Sequence, residues 1–153
     1  MTESNSTAPS QIRQAALRHL ARREYSRAEL ADKLVRKGFA ALDVLPVLDE
    51  MERQGLLSDE RFTEAYVRYR CNLGFGPQRI EQELRERGVA DNLINAYLDK
   101  TDAHWLDDVN QVRQKRFGPG VPADYKDRAK QMRYLQYRGF THEQINRAFR
   151  QQD

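Results

Sequence analysis

A single cysteine, Cys71, stands in a chain of 153 residues, and this excludes an internal disulfide. Only three histidines occur, His19, His104 and His142. They are far apart, and none has a neighbouring cysteine or a carboxylate at metal-site spacing, so no structural zinc or other metal is expected. No apolar run approaches the roughly 18–20 residues that span a bilayer. The opening MTESNSTAPS has no apolar signal core and reads as an unstructured lead. Phosphate and nucleophile motifs are missing too. Gly74-Phe75-Gly76 begins a G-x-G-x-x-G pattern, but Arg79 holds its last position. Asp107-Asp108 reads as a helix start. These absences point to a cytoplasmic, reduced protein that is not an enzyme and carries no cofactor or metal.

Hydrophobic residues make up 39% of the chain and charged residues 32%, which favours a high ratio of surface to core. The net charge is +3, unevenly spread. Residues 1–58 hold nine Lys/Arg against eight Asp/Glu, residues 59–100 seven against eight, and residues 101–153 ten against seven. The excess positive charge therefore lies in the last third.

What is present is a repeat. LVRKGF at 34–39 returns as LRERGV at 84–89 and as LQYRGF at 135–140. Around Gly38, Gly88 and Gly139 the same positions recur. Leu34, Leu84 and Leu135 stand four residues before, and Val44, Ile94 and Ile145 six after. Leu48, Leu98 and Phe149 stand ten after, and Tyr25, Phe75 and Tyr125 thirteen or fourteen before. A leucine face closed by glycine predicts a helix with a left-handed stop, and the basic residue before each glycine suits the negative helix end. Ser26 with Glu29 and Thr141 with Gln144 have capping-box spacing. Pro77 fits a first helical position, and Ser58 with Asp59 and Glu60 marks another start. Further helices are expected over 11–23 (Ile12, Ala16, Leu20 inward), 59–73 (Phe62, Tyr66, Tyr69, Leu73 inward) and about 104–117 (Trp105, Val109, Val112 inward). No period-2 alternation predicts a strand.

The expectation is an all-α, elongated, curved array of three tandem three-helix, helix-turn-helix-like repeats. Its boundaries are a disordered lead at 1–10 and repeats at 11–55, 56–101 and 102–153, with hinges near 55–58 and 100–104. The candidate working surface is basic: Arg68, Arg70 and Arg79 in the second repeat, then Arg113, Lys115 and Arg116, and a stripe of Lys126, Lys130 and Arg133 in the third. Such residues meet an acidic protein groove or phosphates. Cys71, next to Arg70, reads as a half-buried structural thiol.

Residues 55–89, GLLSDERFTEAYVRYRCNLGFGPQRIEQELRERGV, closely resemble the signature of the RecX family. The likeness is carried by Gly55, Asp59, Phe62, Ala65, Tyr66-Val67, Arg70, the Gly74/Gly76 turn, Ile80, Glu83-Leu84 and Gly88-Val89. YSRAELADKLVRKGF and YLQYRGFTHEQINRAF resemble the family's first and third repeats, with one extra residue between Tyr125 and Leu135. The resemblance implies a bacterial regulator of the RecA recombinase. Such a protein binds RecA and its nucleoprotein filament on single-stranded DNA and hinders filament growth. It thereby lowers ATP hydrolysis, strand exchange and the co-protease activity behind the SOS response. Members can also bind DNA, so a direct DNA-binding role through the basic third repeat stands as the alternative.

Overall fold

Local chain signals start and stop most of the helices. In the computed structural model, which describes the backbone of residues 2–150 and side chains from residue 8, nine helices and no strand occur among the described residues. They are α1 (Thr2–Leu20), α2 (Arg27–Arg36), α3 (Ala41–Arg53), α4 (Asp59–Asn72), α5 (Pro77–Glu86), α6 (Asp91–Tyr97), α7 (His104–Phe117), α8 (Tyr125–Arg138) and α9 (His142–Arg150). Ser26 and Glu29 close a reciprocal capping box on α2. Thr141 and Gln144 do the same on α9, through bonds of 2.9 and 3.1 Å. Pro77 opens α5, where its missing N–H has no helical partner to lose.

Helix α1 begins at Thr2, ahead of the Ile12 stripe, where the sequence led to an unstructured lead over 1–10. Pro9 lies inside this helix, and the buried turn at Ile12, Ala15 and Ala16 anchors the part that follows it. Residues 1 and 151–153 lie outside the described residues.

The contacts divide the chain into two compact units. The first holds α1–α3, the start of α4 and Leu84–Leu93. Its core is Ile12, Ala15, Ala16, Tyr25, Leu30, Leu34, Val44, Leu48, Met51 and Leu57. Leu57, in the link after α3, is 2% exposed, so that link is anchored. The second unit holds Tyr66–Glu83 and the chain from Ile94 on. Here α7, α8 and α9 pack on one another, burying Trp105, Val109, Leu135, Phe140, Ile145, Ala148 and Phe149. The link before α7 is anchored as well: Trp105 Nε1 donates to the Asp99 carbonyl at 2.8 Å and Gln144 Nε2 to the Lys100 carbonyl at 2.9 Å.

Each repeated glycine closes its helix by the same turn. The N–H after the glycine reaches back five residues: Phe39 to Leu34 (3.2 Å), Val89 to Leu84 (3.1 Å) and Phe140 to Leu135 (3.2 Å). The glycines have φ of +116°, +78° and +105°, a region that side-chain-bearing residues rarely adopt.

Two of these turns are also joints. The Arg87 carbonyl accepts from Ser26 Oγ at 2.7 Å, and a Cβ on Gly88 would come within 2.5 Å of Ala28 Cβ. The Arg138 carbonyl accepts from the Gly76 N–H at 2.8 Å, and the Gly139 carbonyl from the Gln78 N–H at 2.9 Å. A Cβ on Gly139 would collide with Arg79, and one on Gly76 with the backbone of Gly139 and Phe140. So the start of α2 seats on the end of α5, and the start of α5 seats on the end of α8.

The third copy departs from the expected pattern. Tyr25 is buried and Phe75 half-buried, but Tyr125 is 86% exposed. Helix α8 has 14 residues against 10 in α2 and in α5, and three of the four extra residues lie at its start, which puts Tyr125 in solvent.

The two roles of the turn glycines separate by substitution. Gly38→Ala meets only backbone strain, of roughly 1–2 kcal/mol, because nothing lies within 4 Å of its Cβ position. Gly139→Ala meets the same strain plus the collision with Arg79. Thermal unfolding should show Gly139→Ala the more destabilised; equal losses would remove the joint from the account.

Candidate partner-binding surface

The arginines of α4 and α5 build a cluster around Glu83. Arg70 Nε and Nη2 donate to the Glu83 carboxylate at 2.8 and 2.7 Å, and Tyr66 Oη donates to it at 3.0 Å. Arg79 Nε adds a longer contact at 3.4 Å. Beside this pair, Phe75 lies against three guanidinium groups, those of Arg70 (3.8 Å), Arg138 (3.9 Å) and Arg79 (4.5 Å to the ring centre). Arg138 also donates to the carbonyls of Leu73 and Gly74, at the end of α4. Cation–π and charge-assisted bonds thus hold the Gly74–Gly76 loop on the end of α8. Arg70 and Arg79, expected at the surface for a partner, serve this interior cluster.

The inward stripe of α4 therefore differs from the expected one. Tyr69 and Leu73 are 60% and 46% exposed, while Arg70 has a side chain only 16% exposed. The buried face steps by four, through Phe62, Tyr66 and Arg70, because Glu83 offers the third position a counter-charge. Helix α7 does the same through Trp105, Val109 and Arg113, and leaves Val112 half-buried. Arg113 is 1% exposed, which corrects its expected place at the surface. Burial lowers its pKa from the ordinary arginine value, Nη1 donates to the Gly120 carbonyl at 3.3 Å, and its guanidinium faces the Phe149 ring.

The other expected cations are exposed. Arg68 projects from α4. Lys126, Lys130 and Arg133 line a shallow groove of about 290 Å³ with Asp124 and Asp127. Lys115 and Arg116 border a cleft of about 520 Å³ shared with Cys71, Asp108, Tyr134 and Arg138. Arg116 also lies 5.4 Å from the Tyr134 ring centre. Cys71 is half-buried; burial, then the nearby Asp108 charge, push its thiol up to about 11, so it stays protonated at neutral pH.

The histidines remain separate. His19 meets the Tyr25 ring edge, and His104 pairs with Asp108 at 3.0 Å. No cluster of three or more His, Cys, Asp or Glu suited to a metal ion occurs among the described residues. No described helix is long and apolar enough to cross a membrane.

Nine helices in three-helix groups, with paired loop-to-turn joints among the described residues, define an all-α tandem array. Family models for the first, second and third three-helix domains of RecX match residues 13–51, 58–98 and 106–149. The chain belongs to the RecX family. It is 50% identical over 137 residues to "Regulatory protein RecX" of Halorhodospira halophila, covering 90% of this chain and 85% of that one. It is 41% identical to the protein of that name from Legionella pneumophila, over 90% and 91% of the two chains. The crystal structure of RecX from Lactobacillus salivarius shares the fold, with a TM-score of 0.82 at 23% identity over 97% of this chain and 98% of that one.

Burial pushes the Glu83 carboxyl up, but the hydrogen bonds from Arg70, Tyr66 and Arg79 outweigh it and hold the group below its ordinary 4.5. A depressed carboxylate stabilises the fold fully above its unfolded value and loses that contribution as pH falls through the folded value. Glu83→Gln should cost about 1.5–3 kcal/mol at pH 7. Its thermal midpoint should converge on that of the unsubstituted chain as pH falls below 4.5. A gap that stays constant with pH would show that Glu83 does not carry this charge pairing.

Proposed function

We propose that the chain is a negative regulator of RecA that binds RecA and RecA filaments on single-stranded DNA and blocks filament extension. ATP hydrolysis, strand exchange and the co-protease activity behind the SOS response fall as a consequence, in the cytoplasm where RecA meets DNA. The observation that carries this reading is the likeness, over nine-tenths of the chain, to proteins named as RecX regulators. The surface chemistry supports it. Lys115, Arg116, Lys126, Lys130 and Arg133 are exposed and make no ion pair with a carboxylate among the described residues. Three domains in tandem offer several weak contacts to a repeating partner, and linked contacts multiply affinity without any single strong site.

The groove lined by Lys126, Lys130 and Arg133 favours a second reading, direct binding of DNA phosphates by the third domain. Titrating the chain into RecA hydrolysing ATP on single-stranded DNA separates the two. Inhibition far below one molecule per RecA is the expected result, since few growing ends need blocking. Inhibition only near equal ratios would move the action to occupation along the filament or competition for DNA. No inhibition at any ratio, with tight, salt-steep binding to DNA alone, would establish the second reading. Reversing Lys126, Lys130 and Arg133 to Glu should weaken the complex at least tenfold and flatten its salt dependence, measured by filament binding at several salt concentrations. Unchanged binding would remove the third domain from the contact.

A further inference from the structure

The first domain holds nearly as many acids as bases, nine Lys/Arg against eight Asp/Glu over residues 1–58, yet the fold sorts them. Most of the described acids are engaged in pairs. Glu24 meets Arg61 at 3.0 Å, Glu29 meets Arg23 at 3.4 Å, Asp32 meets Arg36 at 3.0 Å and Glu50 meets Arg53 at 2.6 Å. On α3, Asp49 and Glu52 both pair with Arg27. Asp43 borders Arg13 and Pro9, further back along α1.

Four cations stand apart from these pairs. Arg18 and Arg22, one turn apart on α1, and Lys33 and Lys37, one turn apart on α2, are exposed. None makes an ion pair with a carboxylate among the described residues. They surround the half-buried His19. Its ring meets the edge of Tyr25 with 5.6 Å between centres, and Lys33 Nζ stands 6.0 Å from the centre of the same tyrosine ring. Burial, then the charges of Lys33, Lys37, Arg22 and Arg18, hold His19 below the ordinary 6.5. Cations from two helices thus act together on one imidazole, at a place where positive potential accumulates. Tyr25 is only 6% exposed, so the patch offers charge without an open aromatic platform.

We infer that the first domain binds nucleic-acid phosphates at the patch of Arg18, Arg22, Lys33 and Lys37, and that binding there drives proton uptake by His19. Phosphates fit this patch better than an acidic protein segment does. The centre of a protein interface is enriched in aromatic residues and depleted in lysine, whereas backbone phosphates require only cations. Here the central ring is covered and the cations are open. An anion seated among them cancels the charge that disfavours the imidazolium, so His19 takes up a proton as the patch fills. Linkage makes the effect reciprocal. Affinity is highest below the His19 titration range of the free chain and falls as pH rises through the range of the complex. The contact uses other residues than the groove of Lys126, Lys130 and Arg133, whose lining includes Asp124 and Asp127. It does not rest on RecA being the partner.

The test uses the full chain and a fluorescently labelled oligothymidylate. Histidine ring signals in NMR, with His19→Gln assigning the one that matters, follow the His19 titration with and without saturating oligonucleotide. The His19 midpoint should move up by about half a pH unit or more on binding. A midpoint that stays in place overturns the inference. Fluorescence anisotropy then reads affinity. Lys33→Gln combined with Lys37→Gln should weaken binding at least fivefold. It should also flatten the slope of log affinity against log salt by about 1.4, since each phosphate contact on a single strand contributes about 0.7. Lys33→Arg combined with Lys37→Arg should stay within twofold of the unsubstituted chain. His19→Gln should bind within twofold at pH 8 and lose most of the gain in affinity that the unsubstituted chain shows at pH 6. Unfolding curves check that every variant keeps the fold. Unchanged affinity and salt slope in the double glutamine variant overturn the patch. Polyglutamate that moves the His19 midpoint where oligothymidylate does not would overturn the inference by making an acidic protein segment the occupant. None of these readouts contains RecA, so their failure is distinct from failure of the RecA reading.

Discussion

A helix end leaves carbonyls with no partner inside the helix, and burying them without one is costly. At the ends of α5 and α8 this chain satisfies one such carbonyl with a donor from the start of another helix, Ser26 Oγ in one case and the Gly76 N–H in the other. The contact is possible only where neither backbone carries a side chain in the way. Gly88, Gly139 and Gly76 are sites where a Cβ would collide with what packs there. The turn that ends a helix is thus also the seat for a neighbour. The second joint lies beside the Arg70–Glu83–Phe75 cluster, where the Phe75 ring meets the Arg138 guanidinium.

The charged groups divide along the same line. Arg70, Arg79 and Arg138 are drawn into the cluster on Phe75 and Glu83, and Arg113 is enclosed near Phe149. Arginine suits such places because its planar group stacks on a ring while its edges donate hydrogen bonds. Lys115, Arg116, Lys126, Lys130 and Arg133 stay exposed in the third domain, and exposed cations such as Arg22, Lys33 and Lys37 occur in the first. The scaffold thus uses some cations internally and leaves others exposed.

Much of the fold was legible because its signals are local. The capping boxes at Ser26 and Thr141, the first-turn Pro77 and the glycine stops are written within a few residues each, and the structure places them as the spacing predicts. The candidate surface was less legible. Residue type sorted every arginine outward, whereas Arg70 and Arg113 lie inward because tertiary partners compensate their burial. The usable signal was the four-residue spacing from Phe62 and Trp105, with Glu83 available as a counter-charge. Tyr125 misled for a different reason: it keeps its distance from the glycine in sequence, but the longer α8 carries it into solvent. The joints themselves could not be read from one strand of text, since each pairs segments some sixty residues apart.

The central claim is that the loop-to-turn joints are part of the folded core. Native-state hydrogen exchange of the Gly76 and Gln78 amides tests it most directly, since both donate across the second joint. The account predicts protection comparable to the buried turns of α8, lost together with them on unfolding. Exchange of both amides at the rate of an unstructured loop, while α8 stays protected, would contradict it.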